Sequence, residues 1–401
     1  MSVTITNAIN LILQSTTIKK SEIIPIENSL DRICAEKIKA SVPLPPFNNS
    51  AMDGFGLCGE CDNYSIVGKI LAGDDKNFEL LNGECITIMT GAKVPTSVER
   101  IIPSENTIND NDEIIIKKPV KQNANIRYLG EDINIGEMVL SVGDFIDASC
   151  VGLLASQGIT HIRVYQKPKI SIFANGSELK LHFEKLQGSQ IYNSNTPHLI
   201  ARAKELGCET TFVGKSNDDI DSLKALIDSL NCDIIITSGG VSVGEADFTK
   251  EAFTACGMDT IFSKVEIKPG KPTTFGKVGN TLVLNLPGNP LASALNFELF
   301  GKLMIAKMSG LKTYHHNFIE TKIASDFIKN RKVDTILPGT FDGKSFEIAK
   351  QFSPGMVNVL NNCNGFIVLN SQTLELKKGD NVKFLPIKWA FMREDLIDFT
   401  T

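Results

Sequence analysis

Ile5, Ala8, Ile9, Ile12 and Leu13 recur at helical spacing, and this pattern predicts an amphipathic helix at the start of the chain. A second helix is predicted over residues 27–40. The run Ser41-Val-Pro-Leu-Pro-Pro-Phe47 then enforces an extended path, because proline fixes φ and removes a donor. From residue 51 to about 120, short apolar runs alternate with Gly, Asn and Asp, and residues 64–71, 85–89 and 114–116 read as strands. Residues 122–165 are mixed, with a helix over 149–157 stopped by Gly158.

From Lys167 the period changes. Apolar strands at 169–174, 210–213, 233–237 and 281–286 each run into a polar or glycine-rich turn. Helices are predicted over 197–206, 220–230, 247–256 and 290–308, and this alternation argues for a wound parallel sheet. Beyond Gly310 short strands return, at 365–370 and 381–385, as in a small β domain or barrel.

Composition narrows the class. The chain has 401 residues, 42% apolar and 22% charged, enough for two or three domains. Forty-one basic against 46 acidic residues give a net charge of −5, which disfavours nucleic acid as main partner. No apolar run reaches membrane-spanning length, and no basic leader precedes the first apolar stretch, so neither a membrane anchor nor a signal peptide is expected. Nine scattered cysteines, an odd count, suit a reduced cytoplasmic protein rather than a disulfide scaffold.

In a wound sheet, ligands bind where strands end and helices begin. That rule selects four loops: Asn175-Gly-Ser-Glu178, Ser216-Asn-Asp-Asp219, Ser238-Gly239-Gly240-Val-Ser-Val-Gly244 and Pro287-Gly-Asn-Pro290. The third either cradles an anion on its uncovered N–H groups or only makes a tight turn. Glu178, Asp218 and Asp247 are carboxylates that together suit Mg²⁺ and singly suit helix caps or solvated loops. Lys264, Lys268 and Lys271 fall within eight residues, a candidate anion site. Ser-Gly-Gly-Val-Ser-Val-Gly does not fit G-x-G-x-x-G, and Gly270 to Val278 does not fit a P-loop. Cys58-Gly-Glu-Cys61 lacks a second ligand pair, so both cysteines read as small hydrophobes, and His315 and His316 as exposed.

Pro45-Pro-Phe47-Asn48-Asn-Ser50-Ala-Met52-Asp53-Gly-Phe55 resembles the hallmark segment of the molybdopterin molybdenumtransferase (MoeA) family, relatives of the gephyrin E domain. Ile88-Met-Thr90-Gly-Ala92, Asn125-Ile-Arg127 with Gly130-Glu-Asp132-Ile133, the 238–247 loop ending in Glu-Ala-Asp247, Ile267-Lys-Pro-Gly-Lys-Pro272 and Leu286-Pro-Gly-Asn-Pro290 follow in family order. The resemblance implies a multi-domain α/β plus β protein. An elongated helical/β domain (residues 1–40 plus 122–165) would hold an inserted β domain (41–121), followed by a molybdopterin-binding wound α/β domain (166–311) and a C-terminal β-barrel (312–401).

It further implies a homodimer with shared active sites that places molybdate on adenylylated molybdopterin, with Mg²⁺, and releases AMP. Molybdopterin adenylyltransferase and other pathway proteins would be its partners. By resemblance, Glu178, Asp218 and Asp247 belong to the site, Asp53 and Thr90 come from the partner subunit, and Glu178 and Asp247 are the Mg²⁺ candidates. Arg127, Asp132, Ser238, Gly239, Gly240, Lys264, Lys268, Lys271, Pro272, Pro287 and Pro290 would contact substrate. Departures are Asn48 where the family commonly has Asp, Leu291-Ala292-Ser293 where it often has Val-Ser, and Asn358 and Val359 in place of the serines expected around Gly355-Met356. Arg331 is the candidate for the family's C-terminal-domain arginine. Adenylylation of molybdopterin, tungstate insertion and a non-catalytic scaffold are the alternatives.

Overall fold

A computed structural model describes residues 1–216, 220–239, 248–388 and 400. The first helix, Ile5–Ser15, forms as predicted and is capped by Thr4, whose hydroxyl accepts from the Asn7 N–H at 3.3 Å. It buries Ala8 and Ile12 in the core of the α/β layer. The strand Ser2–Val3 pairs in parallel with Lys264–Val265.

The second predicted helix does not form. Only a single 3₁₀ turn, Ile26–Asn28, precedes Asp31 at φ +60°, and the chain continues as bridges Ile33↔Phe145 and Cys34↔Val164 and the strand Ile38–Lys39. The apolar residues of this segment bury against distant partners: Cys34 and Ile38 share a core with Leu140, Leu154, Ile162 and Val164. Tertiary pairing thus overrides a helical reading of the segment. The strand Ser21–Pro25 likewise pairs with His161–Tyr165, so two separated stretches build one body.

Between them lies a six-stranded sheet, ordered Arg100–Pro103, Gly54–Leu57, Glu84–Ile88, Asn63–Ile70, Glu113–Ile116, Thr107–Asp110. Strand alternation sends Ile86 and Ile101 to one core and their neighbours Cys85 and Ile102 to the other. Cys58 packs on the first core and Cys61 on the second. All nine cysteines are free thiols.

The α/β sheet runs Glu209–Ser216, Lys169–Asn175, Ile234–Ser238, Thr281–Leu286, Thr274–Val278, Asp259–Phe262. The first four strands are parallel, as predicted; the last two form an antiparallel edge that the pattern did not reveal. Ile234, Ile236, Leu282 and Leu284 face one helix layer, while Ile235 and Val283 face the other with Phe253. The helix predicted over 290–308 is continuous but changes to π geometry at Phe297–Gly301, between Pro290–Asn296 and Lys302–Met308.

The C-terminal strands close into a five-stranded barrel: Asp334–Phe341, Ser345–Ile348, Ile319–Ile323, Asn381–Pro386, Gly365–Leu369 and back to the first. Leu337, Phe346, Ile367 and Phe384 fill it. Ile267–Lys268 pairs in parallel with Asp334–Thr335, which ties the lysine turn to the barrel. His316, expected to be exposed, is half-buried, with Nε2 2.9 Å from the Leu299 carbonyl oxygen. Among the described residues, no helix is long and apolar enough to cross a membrane.

Candidate functional site

The parallel strands deliver their C-terminal ends to a cavity of about 620 Å³. Asn175, Glu178, Ser238, Gly239, Pro272, Pro287 and Pro290 line it, together with Asn195 and, from the barrel loop, Gly355 and Val357. Six of the sequence-derived candidates, Glu178, Ser238, Gly239, Pro272, Pro287 and Pro290, spread over more than a hundred positions, thus meet there. Gly239 has φ +94°, and a Cβ on it would sit 2.7 Å from the Asn175 carbonyl oxygen. A Cβ on Gly288 would come within 3.3 Å of the Gly239 Cα. These glycines therefore let two strand-end loops touch backbone to backbone.

Polar side chains lock that contact. Asn195 Nδ2 donates to Ser238 Oγ and to the Gly288 carbonyl, both at 2.7 Å, while Ser238 Oγ donates to the Pro287 carbonyl at 3.1 Å. Below them Thr237 Oγ1 donates to Asn285 Oδ1 at 2.8 Å. Asn175 Nδ2 is held by Thr249 Oγ1 at 2.6 Å, but its buried Oδ1 has no partner among the described residues. Glu178 is exposed at the rim, its carboxylate folded back over Gly176. Gly240, Asp218 and Asp247 lie outside the described residues.

A second cavity, of about 560 Å³, receives Lys268, Lys329, Arg331, Thr335 and Ser353. Lys329 is 7% exposed and donates to the carbonyls of Val333, at 3.1 Å, and Asn370. Burial pushes its ammonium pKa down, and nearby Asp334 partly offsets this. Lys268 and Arg331 are exposed and have no ion-pair partner among the described residues. The two cavities draw on the same three segments: Lys268, Pro269, Leu291, Ser353 and Pro354 line the second, and Pro272, Pro290 and Gly355 line the first. The lysine turn is braced from inside. Asn296 Nδ2 donates to the Pro269 carbonyl at 3.1 Å, and Thr273 Oγ1 lies 3.2 Å from Asn296 Oδ1. Lys264 and Lys271 are exposed and line neither cavity.

Asp53, Thr90, Arg127 and Asp132 gather elsewhere. Asp53 Oδ1 accepts from the Thr90 N–H and from Thr90 Oγ1, both at 2.7 Å. These two bonds, the backbone one foremost, hold the exposed Asp53 carboxyl below its ordinary pKa. Arg127 pairs across from Asn49, and the Asp132 N–H donates to the Leu44 carbonyl, so three motif segments form one exposed patch. Asn48 Oδ1 accepts from the Leu129 N–H at 2.8 Å, a bridging bond that needs an oxygen and no charge. None of the four patch residues lines either cavity of the same chain.

Asn175, Asn195, Asn296 and Lys329 were not singled out in the sequence. Asn195 carried a faint signal, since it opens the helix Asn195–Glu205 just before Pro197. Asn296 and Lys329 carried none, because each acts on a segment remote in the chain.

Two family models match this architecture: "MoeA N-terminal region (domain I and II)" over residues 3–158, and "Probable molybdopterin binding domain" over residues 171–307. They define a protein of molybdenum cofactor biosynthesis, with an N-terminal MoeA region leading into a molybdopterin-binding α/β layer. The molybdopterin molybdenumtransferase of Haemophilus influenzae is 36% identical over 302 residues, covering 74% of each chain. That of Staphylococcus epidermidis is 29% identical over 410 residues, covering 98% of each. The molybdopterin biosynthesis MoeA protein of Pyrococcus horikoshii superposes with a TM-score of 0.81 at 27% identity, over 97% of this chain and 100% of that one. The chain belongs to the molybdopterin molybdenumtransferase family.

Proposed function

We propose that this chain inserts molybdate into adenylylated molybdopterin and releases AMP. The observation that carries this reading is the pair of cavities built on shared segments: one floored by glycine-rich strand ends, the other by Lys268, Lys329 and Arg331. Phosphate oxygens suit the first, because it opens at the glycine-containing strand ends of a wound parallel sheet, where such folds bind their ligands. Molybdate is a tetrahedral dianion, and the exposed cations Lys268 and Arg331 supply the charge to hold it beside the dithiolene it will join.

Mg²⁺ fits the first cavity. The unpartnered Asn175 Oδ1 and the Glu178 carboxylate are hard oxygen donors on one cavity wall, and Asp247 is the third candidate. Bound there, the ion would stabilise charge developing on phosphate oxygens as the anhydride is cleaved. The Asp53–Thr90 patch completes the site from a second copy of the chain in a two-fold dimer with two equal sites. The reaction follows that of molybdopterin adenylyltransferase, its expected partner, in the cytoplasm.

The test supplies pre-adenylylated molybdopterin, molybdate and Mg²⁺ and measures AMP. Wild type should release AMP only with molybdate present. Asp247→Asn should retain fold and pterin binding, since Asn caps a helix as well as Asp, yet lose AMP release, with partial recovery at high Mg²⁺. No molybdate-dependent AMP from wild type overturns the reading; formation of adenylylated pterin from ATP and molybdopterin would assign the chain to the preceding step.

A further inference from the structure

At the far end of the helix Asn195–Glu205 from the glycine-floored cavity, the N-terminal body and the α/β layer meet around a cavity of about 260 Å³. Asn195 lines the strand-end cavity and Glu205 lines this one, so at about 1.5 Å per residue about 15 Å of helix separates the two. Ile33, Phe145 and Tyr165 reach it from the N-terminal body, and Leu206, Ile305 and Leu311 from the α/β layer. The Tyr165 ring packs on bare backbone, since a Cβ on Gly310, at φ +83°, would sit 2.2 Å from its Cδ2. An apolar cavity of about 150 Å³ holds a benzene ring, so this one has room for a ring carrying a short arm.

One polar group in this lining is unexplained. Lys302 is half-buried and makes no ion pair or hydrogen bond among the described residues. The carboxylate one helical turn before it, Glu298, is the partner its spacing offers. That carboxylate is already taken: Arg202 Nε donates to its Oε1 at 2.5 Å and Nη2 to its Oε2 at 3.2 Å. Burial pushes the Lys302 ammonium pKa down; Glu298 partly offsets this and Arg202 adds to it. The other charged groups of the lining leave the ammonium unpaired. Arg32 is held by Glu22 and by the Tyr165 carbonyl at 2.8 Å, Glu205 pairs with Arg202 at 2.7 Å, and Asp31 and Lys167 are exposed. A half-buried ammonium against apolar walls is stabilised by an anion brought to it.

We propose that this cavity is a binding site for an apolar monocarboxylate, whose carboxylate pairs with Lys302 while its ring or short hydrocarbon chain fills the space between the N-terminal body and the α/β layer. A neutral guest would leave the ammonium unpaired, and a cationic one would face Lys302, Lys167 and Arg32 together. Because its walls come from both parts of the chain, the bound acid touches both and stabilises their docking on each other. The site is separate from the strand-end cavity and does not depend on the reaction assigned there.

Calorimetric titration of the full chain with 3-phenylpropionate tests the site, with 3-phenylpropanamide as the uncharged isostere and AMP as competitor. Wild type should bind the acid, and the amide about tenfold more weakly. Lys302→Met keeps the aliphatic stem and removes the charge. It should weaken the acid about tenfold, leave the amide unchanged, and melt at or above the wild-type temperature, since an unpaired ammonium is gone. Ala306→Phe, which fills the cavity from its helical wall, should abolish binding of both. Saturating AMP should leave the affinity for the acid unchanged. Failure of wild type to bind the acid, equal binding of acid and amide, an unchanged affinity in Lys302→Met, or a parallel loss of acid and amide in that variant would each overturn the proposal. Displacement of the acid by AMP would overturn it as well, by placing the acid in the strand-end cavity.

Discussion

Gly270 and Asn296 are coupled through a single contact, and breaking it from either side should have the same consequence for the lysine turn. Gly270 lies at φ +116°, and a Cβ there would sit 1.9 Å from Asn296 Nδ2. Gly270→Ala must therefore expel the Asn296 amide, leaving the buried Pro269 carbonyl unpaired, at a cost of about 1–3 kcal/mol. The left-handed backbone adds about 1–2 kcal/mol for any residue with a Cβ. Asn296→Ala alone loses the first contribution and avoids the second, for about 2 kcal/mol. In the double variant the new methyl enters space the amide has vacated, so the total should be close to that of Gly270→Ala alone. The expected coupling is about 2 kcal/mol, well outside the few tenths seen for independent sites. Denaturant unfolding of the four proteins measures it. Because the turn carries Lys268, both single variants should also raise the molybdate concentration needed for half-maximal AMP release, although neither removes a charge. Additive destabilisation, or an unchanged molybdate requirement in both, would refute the bracing role of Asn296.

Co-expressing Asp53→Ala with Asp247→Ala should restore one working site per heterodimer, whereas each homodimer stays inactive; absence of recovery in a dimer shown to form would sink the shared site. Lys268→Met and Arg331→Met keep the aliphatic stems and should raise the molybdate requirement while leaving pterin affinity nearly unchanged, which a paired molybdate and pterin titration reads. Asp53 has its carboxyl held below the ordinary 3.8 in the folded chain, so its contribution is complete above that value and is lost as pH falls through the lowered pKa. The stability gap between wild type and Asp53→Asn should accordingly be widest near neutrality and close in acid, with no change in the gap between pH 5 and 8. Arg202→Met leaves the Glu298 carboxylate buried and unpaired and should cost about 3–5 kcal/mol, whereas adding Glu298→Leu should recover most of it.

The chemistry-bearing segments were legible as sequence because each is local. A run of three isoleucines and a threonine leading into Ser238-Gly239 announces a strand-end loop by composition alone, and the same holds for Pro287-Gly-Asn-Pro290. The helix Ile5–Ser15 and the four parallel strands were likewise carried by periodicity. Residues 27–40 misled because helix and strand share short apolar spacings, and Cys34 and Ile38 settle the matter only through partners beyond residue 140. The antiparallel edge at 259–278 did leave a mark in the sequence: Gly279-Asn280, the two residues between Val278 and Thr281, is a hairpin signal that the surrounding βα rhythm masked.

By itself the sequence determined which residue types were available, where the strand-end glycines and lysines fell, and to which family the motifs pointed. Only the tertiary structure decided that Lys268 and Arg331, sixty-three positions apart, meet in one cavity, because the short parallel pairing of Ile267–Lys268 with Asp334–Thr335 brings them together. Only it separated the Asp53–Thr90 patch from both cavities of its own chain, and only it left the buried Ser293 hydroxyl without a partner among the described residues. The physical reason is common to all three. Local pattern reports which face of an element is apolar, whereas contact between polar groups depends on how those elements pack, and packing is set by the whole chain at once.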